Sequence, residues 1–106
     1  MIKSKLIIGT AQFGIKSYGI NNINGTQSIE QVREILNLSL KNNISILDTA
    51  PSYGDAEMKI GKCYNNNPFK CITKVSSHKI KDIENSVKES AKRLKTNLHA
   101  VLIHNI

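Results

Sequence analysis

Residues 47–57, "LDTAPSYGDAE", lie where an apolar run gives way to a segment of helical character. The run, Ile44 to Leu47, has the length of a short strand and ends at Asp48. Tyr53 follows five positions later, and the helical segment extends from Gly54 to about Tyr64. This stretch is either a polar entrance to a helix or half of a proton-transfer site. The residues at the ends of the neighbouring apolar runs decide between the two interpretations.

Apolar runs of strand length alternate with helical segments along the whole chain. Ser28 can cap the first turn of a helix, with Gln31 as its capping-box partner, and a second amphipathic helix begins at Ile80. The Gly- and Asn-rich stretch from Gly14 to Thr26 predicts an extended loop. Besides the run before Asp48, the strand-length runs are Lys5–Gly9, Lys70–Val75 and His99–Ile103.

The order of these segments is strand, helix, strand, helix, strand, helix, strand, without a hairpin signal between strands. Such alternation predicts an α/β fold with parallel strands, because parallel neighbours need a long connection and a helix supplies it. Two architectures fit, a piece of a (βα)₈ barrel and a small doubly wound sheet. Since no GxGxxG motif follows the first run, the barrel piece, roughly (βα)₃β, is favoured.

Polar residues stand at the carboxyl end of each run, which is the working face of both architectures. Gly9 and Thr10 follow the first run, Asp48 the second, Lys74 lies near the end of the third, and His104 follows the fourth. Asp48 and Lys74 are 26 positions apart and Lys74 and His104 are 30 apart, close to one βα repeat of about 30 residues. Three ionisable groups are therefore expected at one rim, with Tyr53 reaching back towards them.

These groups have complementary chemistry. A tyrosine hydroxyl such as that of Tyr53 is a weak acid, and a nearby ammonium such as that of Lys74 favours its phenolate. Asp48 can hold the lysine through a charge-assisted hydrogen bond, and His104 can donate to the oxygen of a bound carbonyl. A set of this kind protonates a carbonyl oxygen while hydride arrives at the carbon. The pattern therefore favours proton-transfer chemistry over a polar helix entrance.

The same residues resemble the aldo-keto reductase family. The similar stretches are "GTAQFG" at 9–14, "LDTAPSYGDAE" at 47–57 with "IG" at 60–61, "ITK" at 72–74 and "LIH" at 102–104. The resemblance implies a TIM-barrel oxidoreductase that reduces an aldehyde or ketone with NADPH. It further implies a catalytic tetrad with the tyrosine as proton donor, and a nicotinamide site beside the end of the first strand. The tetrad residues are Asp48, Tyr53, Lys74 and His104, and the cofactor-binding residues are Gly9, Thr10 and Asp48.

A complete (βα)₈ barrel needs about 250 residues, and this chain has 106. We therefore expect residues 1–106 to form a single domain equivalent to the N-terminal half of the barrel, with the C-terminal half absent. Cofactor binding by the chain alone should be weak, because the resemblance implies that the family's later strands and loops supply most contacts to the pyrophosphate and adenosine. Unpaired first and fourth strands predict self-association or a second chain that completes the barrel. The alternative is a non-enzymatic remnant that acts as an interaction module.

Composition excludes several other classes. The net charge of +7 comes from scattered lysines interleaved with acids, a pattern typical of solvated helix faces rather than of nucleic-acid binding. Cys63 and Cys71 lack a CxxC spacing, which predicts reduced core thiols and no metal site. Neither a signal peptide nor a run of roughly 20 apolar residues occurs, so the expectation is a cytoplasmic protein without a membrane partner.

Overall fold

The computed structural model describes residues 5–16 and 25–103. Within these residues, four strands and four helices follow one another in an α/β arrangement. In chain order they are β1 (Ile8–Gly9), α1 (Ala11–Gly14), α2 (Ile29–Lys41), β2 (Ile46–Asp48), α3 (Ala56–Cys63), β3 (Lys70–Val75), α4 (Ile80–Leu94) and β4 (Leu98–Ile103).

The four strands form one parallel sheet in the order β1-β2-β3-β4. Gly9 pairs with Asp48, Asp48 with Ile72, and Ile72 with Ala100. Because each strand lies beside the one before it, the strand order never reverses as it does in a doubly wound sheet. This order confirms the prediction of a piece of a (βα)₈ barrel.

Helix α2 begins where its sequence signature predicts. The Ser28 hydroxyl accepts from the Gln31 amide at 3.2 Å, and the Gln31 side chain accepts from the Ser28 amide at 2.8 Å. These two bonds satisfy amides that the first turn leaves without helical partners. The sequence places Ile29, Val32, Leu36 and Leu40 at steps of three and four residues, which predicts one apolar stripe, and Val32 and Leu36 are completely buried. The capping box therefore sets the start of the helix, and the stripe sets the face it turns to the sheet.

Some element boundaries differ from those predicted. A one-turn helix, α1, occupies Ala11–Gly14 just before the predicted loop, of which residues 17–24 lie outside the described ranges. The first strand is Ile8–Gly9 rather than Lys5–Gly9, because among the described residues β1 pairs with one strand, the three-residue β2. Helix α3 begins at Ala56 rather than Gly54, whose φ of +60° places it in a left-handed turn.

The hydrophobic core lies between one face of the sheet and the helices. Because side chains alternate across a strand, Leu47 and Cys71 point into this core while Asp48 and Ile72, their neighbours, point to the opposite face. The polar candidates on β2 and β3 are thereby kept on the face away from the helices. The core cluster contains Phe13, Val32, Leu36, Leu47, Ala56, Ile60, Cys63, Phe69, Cys71 and Leu94.

Both edges of the sheet expose apolar side chains. On β4, Leu102 is 50% and Ile103 59% exposed, and next to β1, Leu6 is 64% and Ile7 48% exposed. Within the described residues each of these strands has a partner on one side only, as the sequence predicts. None of the helices in the part of the chain that the structure describes has the length and apolar character needed to cross a bilayer.

Candidate active site

Lys74 is the centre of the candidate site. Its ammonium donates a hydrogen bond to the Asp48 carboxylate, with which it forms an ion pair, and another to the Thr49 carbonyl at 2.8 Å. The same ammonium lies 4.9 Å from the centre of the Tyr53 ring. Only 11% of the Lys74 side chain is exposed, so these partners replace the water that a charged group would otherwise require.

The sheet register explains why Lys74 and Asp48 meet. Asp48 pairs with Ile72, and Lys74 lies two residues further along β3, on the same face of the sheet. Adjacent parallel strands are about 4.8 Å apart, which the long lysine side chain spans easily. The contact is thus produced by backbone pairing together with the alternation of side chains.

Two glycines hold Tyr53 against the end of α1. A Cβ on Gly14 would overlap the Tyr53 carbonyl and come within 2.6 Å of the Ala56 amide nitrogen. A Cβ on Gly54 would overlap the Gly14 carbonyl, and Gly54 also has a positive φ that favours glycine. Backbone therefore approaches backbone directly, and the segment carrying Tyr53 is fixed in place.

The end of β1 supplies Gly9 and Thr10. Both the amide and the hydroxyl of Thr10 donate to the backbone carbonyl of Asp48, at 3.1 and 3.0 Å, and Thr10 is completely buried. By contrast, a Cβ on Gly9 would meet no atom of the described residues within 4 Å. Thr10 thus ties the first strand to the second, while Gly9 leaves open space beside them.

A cavity of about 210 Å³ opens at this point, at the carboxyl ends of β1 and β2. It is smaller than the roughly 300–1,000 Å³ of typical small-molecule pockets, as expected for a site walled by two strand ends. Its lining combines backbone, a carboxylate and a phenol. The lining residues are Gly9, Thr10, Ala11, Gln12, Asp48 and Tyr53.

The structure therefore brings Asp48, Tyr53 and Lys74 together, with Gly9 and Thr10 beside them. His104, the fourth predicted member, lies outside the described residues. The catalytic and cofactor-binding roles of all these residues stay predictions.

The model of the aldo/keto reductase family matches residues 5–106. The chain belongs to this family. The oxidoreductase sirO of Leptosphaeria maculans is 36% identical over 73 residues, which make up 67% of this chain and 22% of sirO.

Solved structures agree with this family assignment. A protein of Pseudomonas aeruginosa named "putative aldo-keto reductase" superposes with a TM-score of 0.82 at 26% identity over 97% of this chain. A second structure with that description gives 0.81 at 25% identity. The chain spans 43% and 42% of these two proteins, and so corresponds to a fragment of the reductase barrel.

Sequence reasoning missed Glu57, a buried carboxylate in this fragment of the barrel. Glu57 is 2% exposed and accepts from Thr73 at 2.7 Å, from Ser90 at 3.1 Å and from the Arg93 guanidinium at 2.8 and 2.9 Å. It thus joins α3 to β3 and α4. The available signal was its position three residues before the inward-facing Ile60, on the buried stripe of the helix.

Lys59 was missed as well. Its ammonium donates to the carbonyls of Phe13 and Gln27, each at 2.7 Å, and to the Thr26 hydroxyl at 2.9 Å, and it pairs with Asp55 at 3.2 Å. The residue is 7% exposed. Its partners lie up to 46 positions away, so no local pattern indicates this role.

The two cysteines of the family member are free and buried, which confirms the prediction of reduced core thiols. Burial raises the pKa of Cys71 to about 11, and it also raises the pKa of Cys63. Neither thiol therefore has the thiolate character of a reactive cysteine. Within residues 5–16 and 25–103, no group of three or more His, Cys, Asp or Glu side chains is arranged to hold a metal ion.

Proposed function

We propose that this chain forms the first half of an NADPH-dependent carbonyl reductase. Tyr53 is the proton donor, Lys74 and Asp48 support it, and His104 orients the carbonyl of an aldehyde or ketone. The observation that carries the proposal is the buried Lys74 ammonium, which contacts the Asp48 carboxylate and lies over the Tyr53 ring.

The proton transfer follows from the contacts of Lys74. An ammonium has three N–H donors, and within the described residues two of them are used by Asp48 and the Thr49 carbonyl. In the proposal, the third N–H donates to the phenol oxygen of Tyr53 in the complete enzyme. When Tyr53 gives its proton to the substrate oxygen, the phenolate that remains is stabilised by this positive charge. Asp48 keeps the ammonium in place and balances its charge before the transfer.

The residues at the end of β1 fit the nicotinamide end of a dinucleotide. Open space at the Gly9 Cβ position and the cavity beside Asp48 allow a planar ring to approach the backbone closely. Gly9, Thr10 and Asp48 would border it there. Bound NADPH supplies a hydride to the carbonyl carbon. A small cavity with few polar contacts implies weak affinity until further strands enclose the rest of the cofactor.

The proposed enzyme therefore includes the rest of a barrel. The exposed apolar residues Leu102 and Ile103 of β4, and Leu6 and Ile7 beside β1, lie where further strands of a closed barrel would pair. Further sequence, a second polypeptide or a second copy of this chain can supply those strands. Residues 1–106 form one domain of this assembly in the proposal, and its location is cytoplasmic.

Replacing Tyr53 by phenylalanine in the complete barrel tests the proposal. Tyr53→Phe removes the donor and keeps the ring, so NADPH-dependent reduction of a small aldehyde should slow about 10²- to 10⁴-fold. NADPH affinity, measured by fluorescence, should stay the same. The matched control is Tyr64→Phe, which removes a hydroxyl bonded to Asn37 instead and should leave the rate unchanged. Undiminished reduction by Tyr53→Phe would contradict the assigned role.

The exposed apolar edges favour one alternative, a non-enzymatic interaction module. It is supported by Leu6, Ile7, Leu102 and Ile103, which form a surface that binds other proteins as readily as it binds missing strands. It predicts strong binding of a hydrophobic dye and no NADPH binding in any assembly. NADPH-dependent turnover by an assembly containing this chain would rule it out.

A further inference from the structure

The bond between Glu57 and Thr73 lies behind the sheet, opposite the site. Thr73 Oγ1 donates to Glu57 Oε2 at 2.7 Å, and both residues are almost completely buried. The second carboxylate oxygen of Glu57 is held separately, by Ser90 and Arg93 of α4. One carboxylate oxygen of Glu57 therefore binds α4, and the other binds β3.

The two partners of this bond are close in sequence to two predicted catalytic groups. Glu57 stands four residues after Tyr53, on the helix that the Tyr53 turn leads into. Thr73 directly precedes Lys74 in β3, and neighbouring residues of a strand point to opposite faces. The Glu57–Thr73 bond on the helix side and the Tyr53–Lys74 contact on the open side are therefore joined by short, ordered segments.

From this geometry we infer that Glu57 is a positioning residue, which sets the distance between the Tyr53 phenol and the Lys74 ammonium through Thr73. The inference rests on the proposed function for its catalytic consequence. The contact of Lys74 with Asp48 depends instead on the pairing of β2 with β3. Loss of the Glu57–Thr73 bond should therefore lengthen the distance between the Lys74 ammonium and the Tyr53 ring. The ion pair between Lys74 and Asp48 should stay intact.

Thr73→Val tests the inference in the complete barrel, because valine keeps the shape of threonine and replaces the hydroxyl donor with a methyl group. We expect kcat to fall about 10- to 100-fold, since a misplacement of about 1 Å can cost that much, with KM for NADPH unchanged. Thr73→Ser restores the donor and should restore kcat. Ser90→Ala is the matched control. It removes a hydroxyl from the same carboxylate, which Arg93 still holds, and should lower the melting temperature without lowering kcat.

A second readout needs no turnover. The Lys74 ammonium lies over the Tyr53 ring, so the ring current should displace the NMR signals of the adjacent ε-methylene protons. In Thr73→Val these signals should move towards their free-lysine values, and in Ser90→Ala they should stay.

The outcomes separate the two proposals. A return of the ε-methylene signals towards free-lysine values in Thr73→Val, together with a Tyr53→Phe variant that loses no activity, would support the positioning role and refute the proposed chemistry. Unchanged signals and unchanged kcat in Thr73→Val would overturn the positioning role, whatever Tyr53→Phe shows. Equal losses of kcat in Thr73→Val and Ser90→Ala would also overturn it, because stability alone would then explain both.

Discussion

Gly14→Ala should destabilise the fold at the point where Tyr53 is held. The added methyl group would lie 2.6 Å from the Ala56 nitrogen and 2.9 Å from the Asp55 nitrogen, and it would overlap the Tyr53 carbonyl. All three are backbone atoms, so no side chain can rotate away to make room. Overpacking of this kind costs about 1–3 kcal/mol. For a domain of this size, that corresponds to a melting temperature lower by roughly 4–24 °C.

The assay is thermal unfolding followed by circular dichroism, with Gly9→Ala as the matched control. Gly9 lies five residues earlier, and a methyl group there meets no described atom within 4 Å. Gly9→Ala should therefore leave the melting temperature unchanged or raise it slightly, because alanine restricts the unfolded chain. Under the proposed function it should also weaken NADPH binding, since the methyl group enters the cavity. Equal melting temperatures for the two variants would refute the reasoning about Gly14.

Two further predictions concern buried groups outside the proposed catalytic set. Lys59→Met should cost about 1–3 kcal/mol in urea unfolding, because it leaves the carbonyls of Phe13 and Gln27 without their donor. Lys62→Met, at an exposed position of the same helix, should stay within about 0.5 kcal/mol. A loss below about 1 kcal/mol for Lys59→Met would show that water replaces the ammonium. The pKa of Cys71 is raised in the folded state from 9.0 to about 11, so its stabilising contribution is complete below pH 9 and is lost as the pH rises through 11. Measured unfolding free energies should fall by about 2–3 kcal/mol more in the parent than in Cys71→Ala across that interval, and parallel curves would contradict the raised pKa.

Local patterns predicted the elements well where short-range forces decide them. The Ser28–Gln31 capping box and the buried stripe of Val32 and Leu36 depend on residues within about two turns of each other, so the sequence contains all the partners. Boundaries were less accurate where neighbours in space decide them. The first strand is short because its pairing partner, β2, is short.

In the candidate site, too, the sequence predicted what nearby residues decide and missed what distant residues decide. The position of polar residues at strand ends placed Asp48 and Lys74 on one rim, because parallel pairing aligns the carboxyl ends of consecutive strands. Nothing in the local pattern indicated that the backbones of Gly14 and Gly54 are in close contact beside Tyr53. Nor did it show that Glu57 and Lys59 are buried, since their partners come from distant elements.

By itself, the sequence determined the alternation of strands and helices, the parallel sheet, the family and the residues at the strand ends. It could do so because propensity, capping and side-chain alternation act over a few residues. Only the tertiary structure decided that the Lys74 ammonium contacts both a carboxylate and a phenol ring, and that the buried Glu57 carboxylate binds Thr73 on the other face of the sheet. Those contacts join segments separated by up to 26 residues, and only the folding of the chain sets the distances between them.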